Sequence, residues 1–375
     1  MDALMLPSNW QKVRLGDIAE INPPTIIPNV FYYIDLESVE KGQLLNKQLM
    51  IKNKAPSRAR RLLSKNDILY QLVRPYQRNN YFFTLNGNYV ASTGYAQIRT
   101  LQNPSFLYFA LHSNYFVNAV LDRCEGTSYP AISSNELKKC EVILPPLNEQ
   151  AAIANILSDV DRYLYSLDAL ILKKESVKKA LSFELLSQRK RLKGFNQAWQ
   201  RVRLGDICEI VKGQQINKIS LNNTDKYPVI NGGIDFLGYT NKFNVSKNTI
   251  AISEGGTCGY VRFMKSDFWS GGHNYSLQKI SNKVNNLCLY HILKSYEKDI
   301  MKLGVGSGLK NIQLKALKDF EILLPPLNEQ IAIANILSDL DHEIISLKNK
   351  KRQFENIKKA LNHDLMSAKI RVLNK

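Results

Sequence analysis

Two strings in this chain each occur twice, and their spacing decides what it can fold into. LPPLNEQAAIANILSDVD (Leu144 to Asp161) returns as LPPLNEQIAIANILSDLD (Leu324 to Asp341), identical at 16 of 18 positions and displaced by 180 residues. WQKVRLGDIAEI (Trp10 to Ile21) returns as WQRVRLGDICEI (Trp199 to Ile210), identical at 10 of 12 positions with a displacement of 189. The variable stretch between the two blocks is therefore longer by nine residues in the first half, 189 less 180. A period this long excludes short-repeat arrays. One large unit is used twice.

Between the blocks the halves diverge. Residues 22 to about 125 include RPYQRNNYFFTLNGNYVASTGYAQIR, rich in turn formers, aromatics and β-branched residues, and residues 211 to about 305 include VINGGIDFLGYTNKF and TIAISEGGTCGYVRF. Glycine pairs bound short strand-like runs there, so both stretches read as mixed α/β domains with many loops. Similarity resumes at Gly126 to Leu144, which aligns with Gly306 to Leu324. A shared frame with different loops suits two copies that read different things.

Each proline block opens a helix. Pro145 and Pro146 end a strand, and Asn148 with Glu149 suits a helix start, where side-chain oxygens and negative charge meet free amides. Apolar residues follow at Ile153, Leu157, Val160, Leu164, Leu167 and Ile171, and in the second copy at Ile333, Leu337, Leu340, Ile344, Leu347, Phe354 and Leu361. Steps of four, three and seven make a coiled-coil seam. In the first helix the seam loses definition at Lys174. At about 40 residues each, such helices are about 60 Å long and cannot bury a seam alone. They are expected to pair with each other, antiparallel. The expected fold is α+β: two mixed α/β domains at 1–146 and 194–326, a first helix and basic linker at 147–193, and a second helix at 327–375.

The partner class follows from charge. Lys and Arg number 51 against 33 Asp and Glu, a net +18. An excess of this size points to a polyanion, because cations that neutralise phosphates release counterions. The five cysteines are scattered and never spaced as CxxC, so neither a disulfide framework nor a zinc knuckle is expected. MDALMLPSNWQKVRLGD carries no basic region followed by an apolar stretch, so no signal peptide is expected. No run approaches the ~18 apolar residues of a membrane helix. A cytoplasmic setting without membrane partners is the expectation.

Enzyme chemistry finds little footing. Asn22-Pro23-Pro24 is followed by Thr25, so the aromatic ring that an adenine-N6 methyltransferase stacks on its flipped base is missing. No GxxxxGK[ST] phosphate cradle occurs, and Glu254-Gly255-Gly256-Thr257-Cys258-Gly259 lacks the lysine, so it reads as a tight loop. There is no Pro-Asp dipeptide, and the five histidines show no metal-ligand spacing. No catalytic residue, metal or cofactor is expected. A DNA methyltransferase or nuclease with an unrecognised active site, and a structural or anti-restriction DNA-binding protein, are the alternatives.

The repeated LPPLNEQxxIANILSDxD block, the WxxVxLGDI opening of each half, and the strings KNDILYQLVRPYQRN, GNYVASTGYAQIR, INGGIDFLGYT and TIAISEGGTCGYVRF together resemble the specificity subunit of type I restriction-modification systems. The resemblance covers essentially the whole chain. It implies two target recognition domains, two helices pairing as a spacer, and assembly on double-stranded DNA with two methyltransferase subunits and, for cleavage, restriction subunits. It also implies that methylation and translocation belong to those partners and not to this chain.

DNA contacts are expected from a basic and aromatic interleaving in the first domain: Arg58, Arg60, Arg61, Arg74, Tyr76, Arg78, Asn79 and Tyr81, with Ser92, Thr93 and Tyr95 at a turn. Arginine bonds guanine or clamps phosphate, and asparagine reads adenine. Ser128 and Tyr129 are the first-half counterparts of Gly308 and Leu309. In the second domain the candidates are Lys212, Gln214, Gln215, Asn217, Lys218, Asn231, Gly232, Gly233, Ser307, Gly308, Lys310 and Asn311. For each, a scaffold or plain turn role is the competing reading. The helix starts Asn148, Glu149, Gln150 and Asn328, Glu329, Gln330 are expected to face the partner, because identity in both copies suits a surface shown twice. Lys173, Lys174, Lys178, Lys179, Arg189, Lys190 and Arg191 suit DNA between the half-targets or a solvated face equally.

Overall fold

The computed structural model describes residues 6–373. They form two compact units: the residues up to Asp168 together with those from Lys350 onward, and Ala169–Asn349. Each holds one mixed domain and parts of both long helices, so the units divide the helices near their middles.

In the first unit the repeated ends of the sequence meet. Strand Gln11–Arg14 pairs antiparallel with Glu141–Leu144, Gln11 opposite Leu144. The helical turn Leu15–Ile18 buries Leu15 completely, and the Leu15 amide donates to Cys140 O at 2.8 Å. The short helix Ser134–Lys139 packs on this turn, and a methyl group at Gly16 would sit 3.1 Å from Lys138 Cβ. The WxxVxLGDI string is thus a docking frame. Between its ends an antiparallel sheet runs in the order Ala19–Ile21, Tyr95–Thr100, Ile68–Gln71, Tyr81–Phe82. A second sheet runs Gln48–Ile51, Val30–Ile34, Tyr89–Ser92, Ala59–Leu62, with Val30–Ile34 and Tyr89–Ser92 parallel. The larger core joins Ile68, Tyr70 and Ile98 to the helix residues Phe106, Phe116, Ile153 and Leu157.

The second unit repeats this plan on a different sequence. Gln200–Arg203 pairs with Glu321–Leu324 in the same register, and the Leu204 amide donates to Phe320 O at 3.0 Å. Its antiparallel sheet runs Glu209–Lys212, Asn274–Gln278, Thr249–Ser253, Val261–Met264. Its second sheet runs Gly238–Thr240, Tyr227–Ile230, Trp269–Ser270, with Tyr227–Ile230 and Trp269–Ser270 parallel. The first domain's Ala59–Leu62 strand has no equivalent in this sheet.

The long helices span Leu147–Leu186 and Leu327–Met366. In the first unit Asp161 pairs with Lys358, Asp168 with Lys351 at 2.6 Å, and Tyr163 rests on Phe354 at 4.6 Å between ring centroids. In the second unit Lys174 pairs with Glu343 at 2.7 Å and Lys178 with Asp341. Within each unit one partner's number falls as the other's rises, so the helix segments run antiparallel. The predicted seam residues Ile153, Leu157, Leu167, Ile171, Ile333, Leu337 and Ile344 are buried. Lys174, where the seam loses definition, reaches a carboxylate on the opposing segment.

Candidate nucleic-acid interface

In the second domain, loops distant in sequence converge beyond one end of the antiparallel sheet. The Gln214 amide donates to Ser270 O at 2.8 Å, the His273 amide to Asn231 Oδ1 at 2.9 Å, Thr257 N to Gly232 O at 2.8 Å and Ile312 N to Glu254 O at 2.9 Å. Glycine makes the convergence possible. A methyl group on Gly213 would lie 2.1 Å from Gly271 O, and one on Gly232 (φ +80°) 2.5 Å from Gly255 O. Strand ends this close admit no side chain. The predicted residues Lys212, Gln214, Gln215, Asn231, Gly232, Gly233, Lys310 and Asn311 are thereby brought together. Gln214, Gln215, Gly233, Ser307, Gly308, Lys310 and Asn311 are exposed there. Asn217 and Lys218 instead open the 3-10 turn Lys218–Ser220, which the Asn217 side chain caps.

The charge at this cluster is organised by residues that sequence reasoning set aside. Glu254, read as part of a plain tight loop, is buried at 8% exposure. Its Oε1 accepts from Lys212 Nζ at 2.6 Å and Tyr275 OH at 3.2 Å, and His273 Nδ1 lies 3.8 Å from Oε2. Burial, with Glu254 adding to it, pushes the Tyr275 hydroxyl up to about 12. Lys212 therefore reaches the site already paired with a carboxylate. The available signal was a carboxylate at the end of an apolar strand, just before a glycine pair.

The first domain places its candidates around the equivalent sheet end. Strands Ala59–Leu62 and Tyr89–Ser92 put Arg61 opposite Ala91, and the Thr93 amide donates to Arg58 O at 2.8 Å. Arg58 is exposed, bonds Tyr33 OH at 3.1 Å and pairs with Asp35 at 2.6 Å; the Tyr33 bond first and Asp35 second raise its pKa. Arg60 is exposed with its Nε on Ser57 O. Arg61 is half-buried, its Nε has no partner, and burial lowers its pKa. Arg74, at φ +55°, lays its guanidinium 4.2 Å above the Tyr129 ring, uniting two predicted residues 55 positions apart. Tyr76, Ser128 and Tyr129 are exposed.

Several predicted contacts are corrected by burial or by committed bonding. Tyr95 is fully buried, Ser92 is 2% exposed and Tyr81 8%, so these face the core and not a ligand. Arg78 is committed within the domain, donating to His112 O at 2.9 Å and Asn114 Oδ1 at 2.8 Å. Asn79 accepts from the Lys41 amide at 3.1 Å. Charged and polar residues in a loop string read as surface, but Arg78 and Asn79 are held by partners more than 30 positions away.

The helix starts also divide. Asn148 and Asn328 are exposed, whereas Glu149, Gln150, Glu329 and Gln330 are at most 2% exposed, so these four cannot present a surface. Glu149 accepts the Trp10 indole N–H at 3.0 Å and a two-pronged Arg371 guanidinium at 2.7 and 2.9 Å. Glu329 accepts Trp199 at 3.1 Å and Arg191 at 2.8 and 2.7 Å. Gln150 accepts from the Asn103 amide and donates to Pro145 O; Gln330 does the same with Asn285 and Pro325. Identity at these positions comes from internal bracing. Arg191, grouped at first with DNA-facing cations, belongs to that brace.

No group of three or more histidine, cysteine or acidic residues suited to a metal occurs among the described residues, and none of their helices is long and apolar enough to cross a membrane. Known proteins match this construction. The type I restriction modification DNA specificity domain matches residues 7–174 and 196–356. A Mycoplasma pneumoniae protein described as a type I specificity subunit is 38% identical over 165 residues, 42% of this chain and 44% of that protein. The chain thus aligns with less than half the length of that relative. The specificity subunit of the type I restriction enzyme MjaVIII of Methanocaldococcus jannaschii is 25% identical across 100% of this chain and 96% of its own. A crystal structure of the S subunit of a type I system from M. genitalium shares the fold, with a TM-score of 0.70 at 20% identity over 95% of this chain and 96% of that one. With both halves matched to the specificity domain, this chain belongs to the DNA-specificity family of type I restriction-modification systems.

Proposed function

We propose that the chain reads an asymmetric, two-part DNA target, one part per domain, and holds methyltransferase and restriction subunits on it in the cytoplasm. One observation carries this reading: two domains share one frame yet end it in unlike loop clusters, glycine-walled in one and arginine-rich in the other. Two unlike readers on one chain fit two unlike half-targets separated by bases that neither touches. The net charge of +18 supplies the sequence-independent attraction to phosphate. Methyl transfer and cleavage are left to the partners.

Partner docking is proposed for a helix face distinct from the braced one. Asn148, Asn155 and Asp159 recur as Asn328, Asn335 and Asp339, and all six are exposed. Steps of seven and four place each trio on one helix face. Internal packing does not require identity at exposed positions, whereas docking the same partner twice does.

The test is to co-express the chain with a cognate methyltransferase in a methylation-free host and map N6-methyladenine. The expected result is a split, asymmetric motif with a fixed gap, lost when either protein is omitted. A continuous motif, or methylation by this chain alone, overturns the reading.

A further inference from the structure

We propose that Tyr129 and Leu309 are a matched pair of wedges that enter the DNA base stack, one in each half-target; the proposal rests on the two-part reading above. Both residues sit at the same place in the repeat, 180 positions apart, in loops that otherwise differ: GTSYPAI and GSGLKNI. Both are large apolar side chains held out in water, Tyr129 63% exposed and Leu309 79%.

Equivalent backbone bonds fix the two loops beside the equivalent strand end. Ile132 N donates to Leu72 O at 3.0 Å and Ile312 N to Glu254 O at 2.9 Å. Each loop turns tightly at a glycine with positive φ, Gly126 at +90° and Gly306 at +135°. A methyl group there would lie 3.3 Å from Tyr129 O and 2.5 Å from Leu309 O, so each tip folds back on its own start. The projecting side chain is thus presented by a closed turn.

The surroundings favour DNA over a protein partner. The two residues before each tip, Thr127 with Ser128 and Ser307 with Gly308, are small or polar. The other apolar neighbours in these turns are Pro130 and the exposed Val305, less than the apolar core of a protein interface. A wedge requires only one apolar side chain with cations beside it to hold the phosphates. Arg74 stacks on Tyr129, and Lys310 follows Leu309. In the second domain the loop also borders the converged cluster, since a methyl group on Gly255 would lie 2.2 Å from Asn311 Oδ1.

The test uses the full chain purified with its methyltransferase, and targets carrying one abasic site moved stepwise through each half. Unstacking opposes wedge entry, so a target already lacking one base should bind about tenfold more tightly when the gap lies at the wedge position. The wild-type complex is expected to show one such position in each half. Leu309→Ala should abolish the preference in the second half only, and Tyr129→Ala in the first only; Leu309→Met and Tyr129→Phe should keep it. Absence of any preference in the wild type overturns the proposal. So does a preference that survives both alanine substitutions, because it then arises from base extrusion by the methyltransferase. Failure of the two-part reading shows separately, as loss of the split methylation motif by the wild-type complex on intact DNA.

Discussion

Replacing Arg371 by alanine would leave the Glu149 carboxylate, 2% exposed, with the Trp10 indole at 3.0 Å. A buried charge that loses its main counter-ion costs about 3 kcal/mol or more, although Arg371 is itself about a quarter exposed and the lower end applies. The expected outcome is a loss of about 3 kcal/mol in urea unfolding, and less when Glu149→Gln is present as well, because the carboxylate is then gone. A second effect at this scale concerns His291, 5% exposed, whose imidazole burial holds down to about 4 from 6.5, with Lys178 adding to the effect and Asp341 opposing it. Between those values the unfolded chain binds a proton that the folded chain excludes, so stability rises with pH and is lost on acidification. Stability should fall by about 2 kcal/mol from pH 7 to pH 5 on this account. His291→Phe, which installs the residue found at the structural counterpart Phe109, should flatten part of that slope in urea titrations at the two pH values. A slope unchanged by the substitution would assign the acid lability elsewhere.

At the scale of elements, the proposed docking face predicts that Asn155→Arg together with Asn335→Arg weakens methyltransferase binding at least about tenfold, by placing bulky cations where two small amides lie. Thermal unfolding of the free chain should not move, since surface changes of this kind shift stability by about 0.5 kcal/mol or less. Assembly at wild-type strength would remove the face from the proposal. This element shows how much could be read beforehand. The helix starts, their length and most seam positions were legible, because a 3.6-residue period survives in any helix that buries one stripe. The duty of Glu149 and Gln150 was not, because Arg371 lies 222 positions from Glu149 and local sequence cannot announce it. The shared sheet order of the two domains was equally hidden. Strand interiors exchange Val, Ile, Tyr and Phe freely as long as they fill a pleated, half-buried surface. Ile68–Gln71 and Thr249–Ser253 therefore occupy the same place in their sheets with almost no residue in common.

The whole molecule poses the question of what would set the gap in the proposed two-part target. Exchanging residues 22–125 for those of a relative should change one part of the methylated motif and leave the other part and the gap intact. A change in both parts would show that the readers are not separate. The gap itself is proposed to follow helix length. The linker Ser187 to Gly194 is the obvious place to lengthen, but it contains Arg191, which braces Glu329. Inserting seven residues in each long helix, after Asp168 and after Asn349, preserves every helix pairing described within each unit. Seven residues add about 10 Å, roughly three base pairs. Three base pairs also turn the duplex by roughly 100°, whereas a heptad hardly rotates a helix. One heptad should therefore weaken methylation at every spacing. Three heptads, about 32 Å, match roughly one duplex turn, and methylation should return at a gap about nine base pairs wider with both half-targets unchanged. A motif with its original gap after three heptads would mean that the domains reach their half-targets independently of helix length.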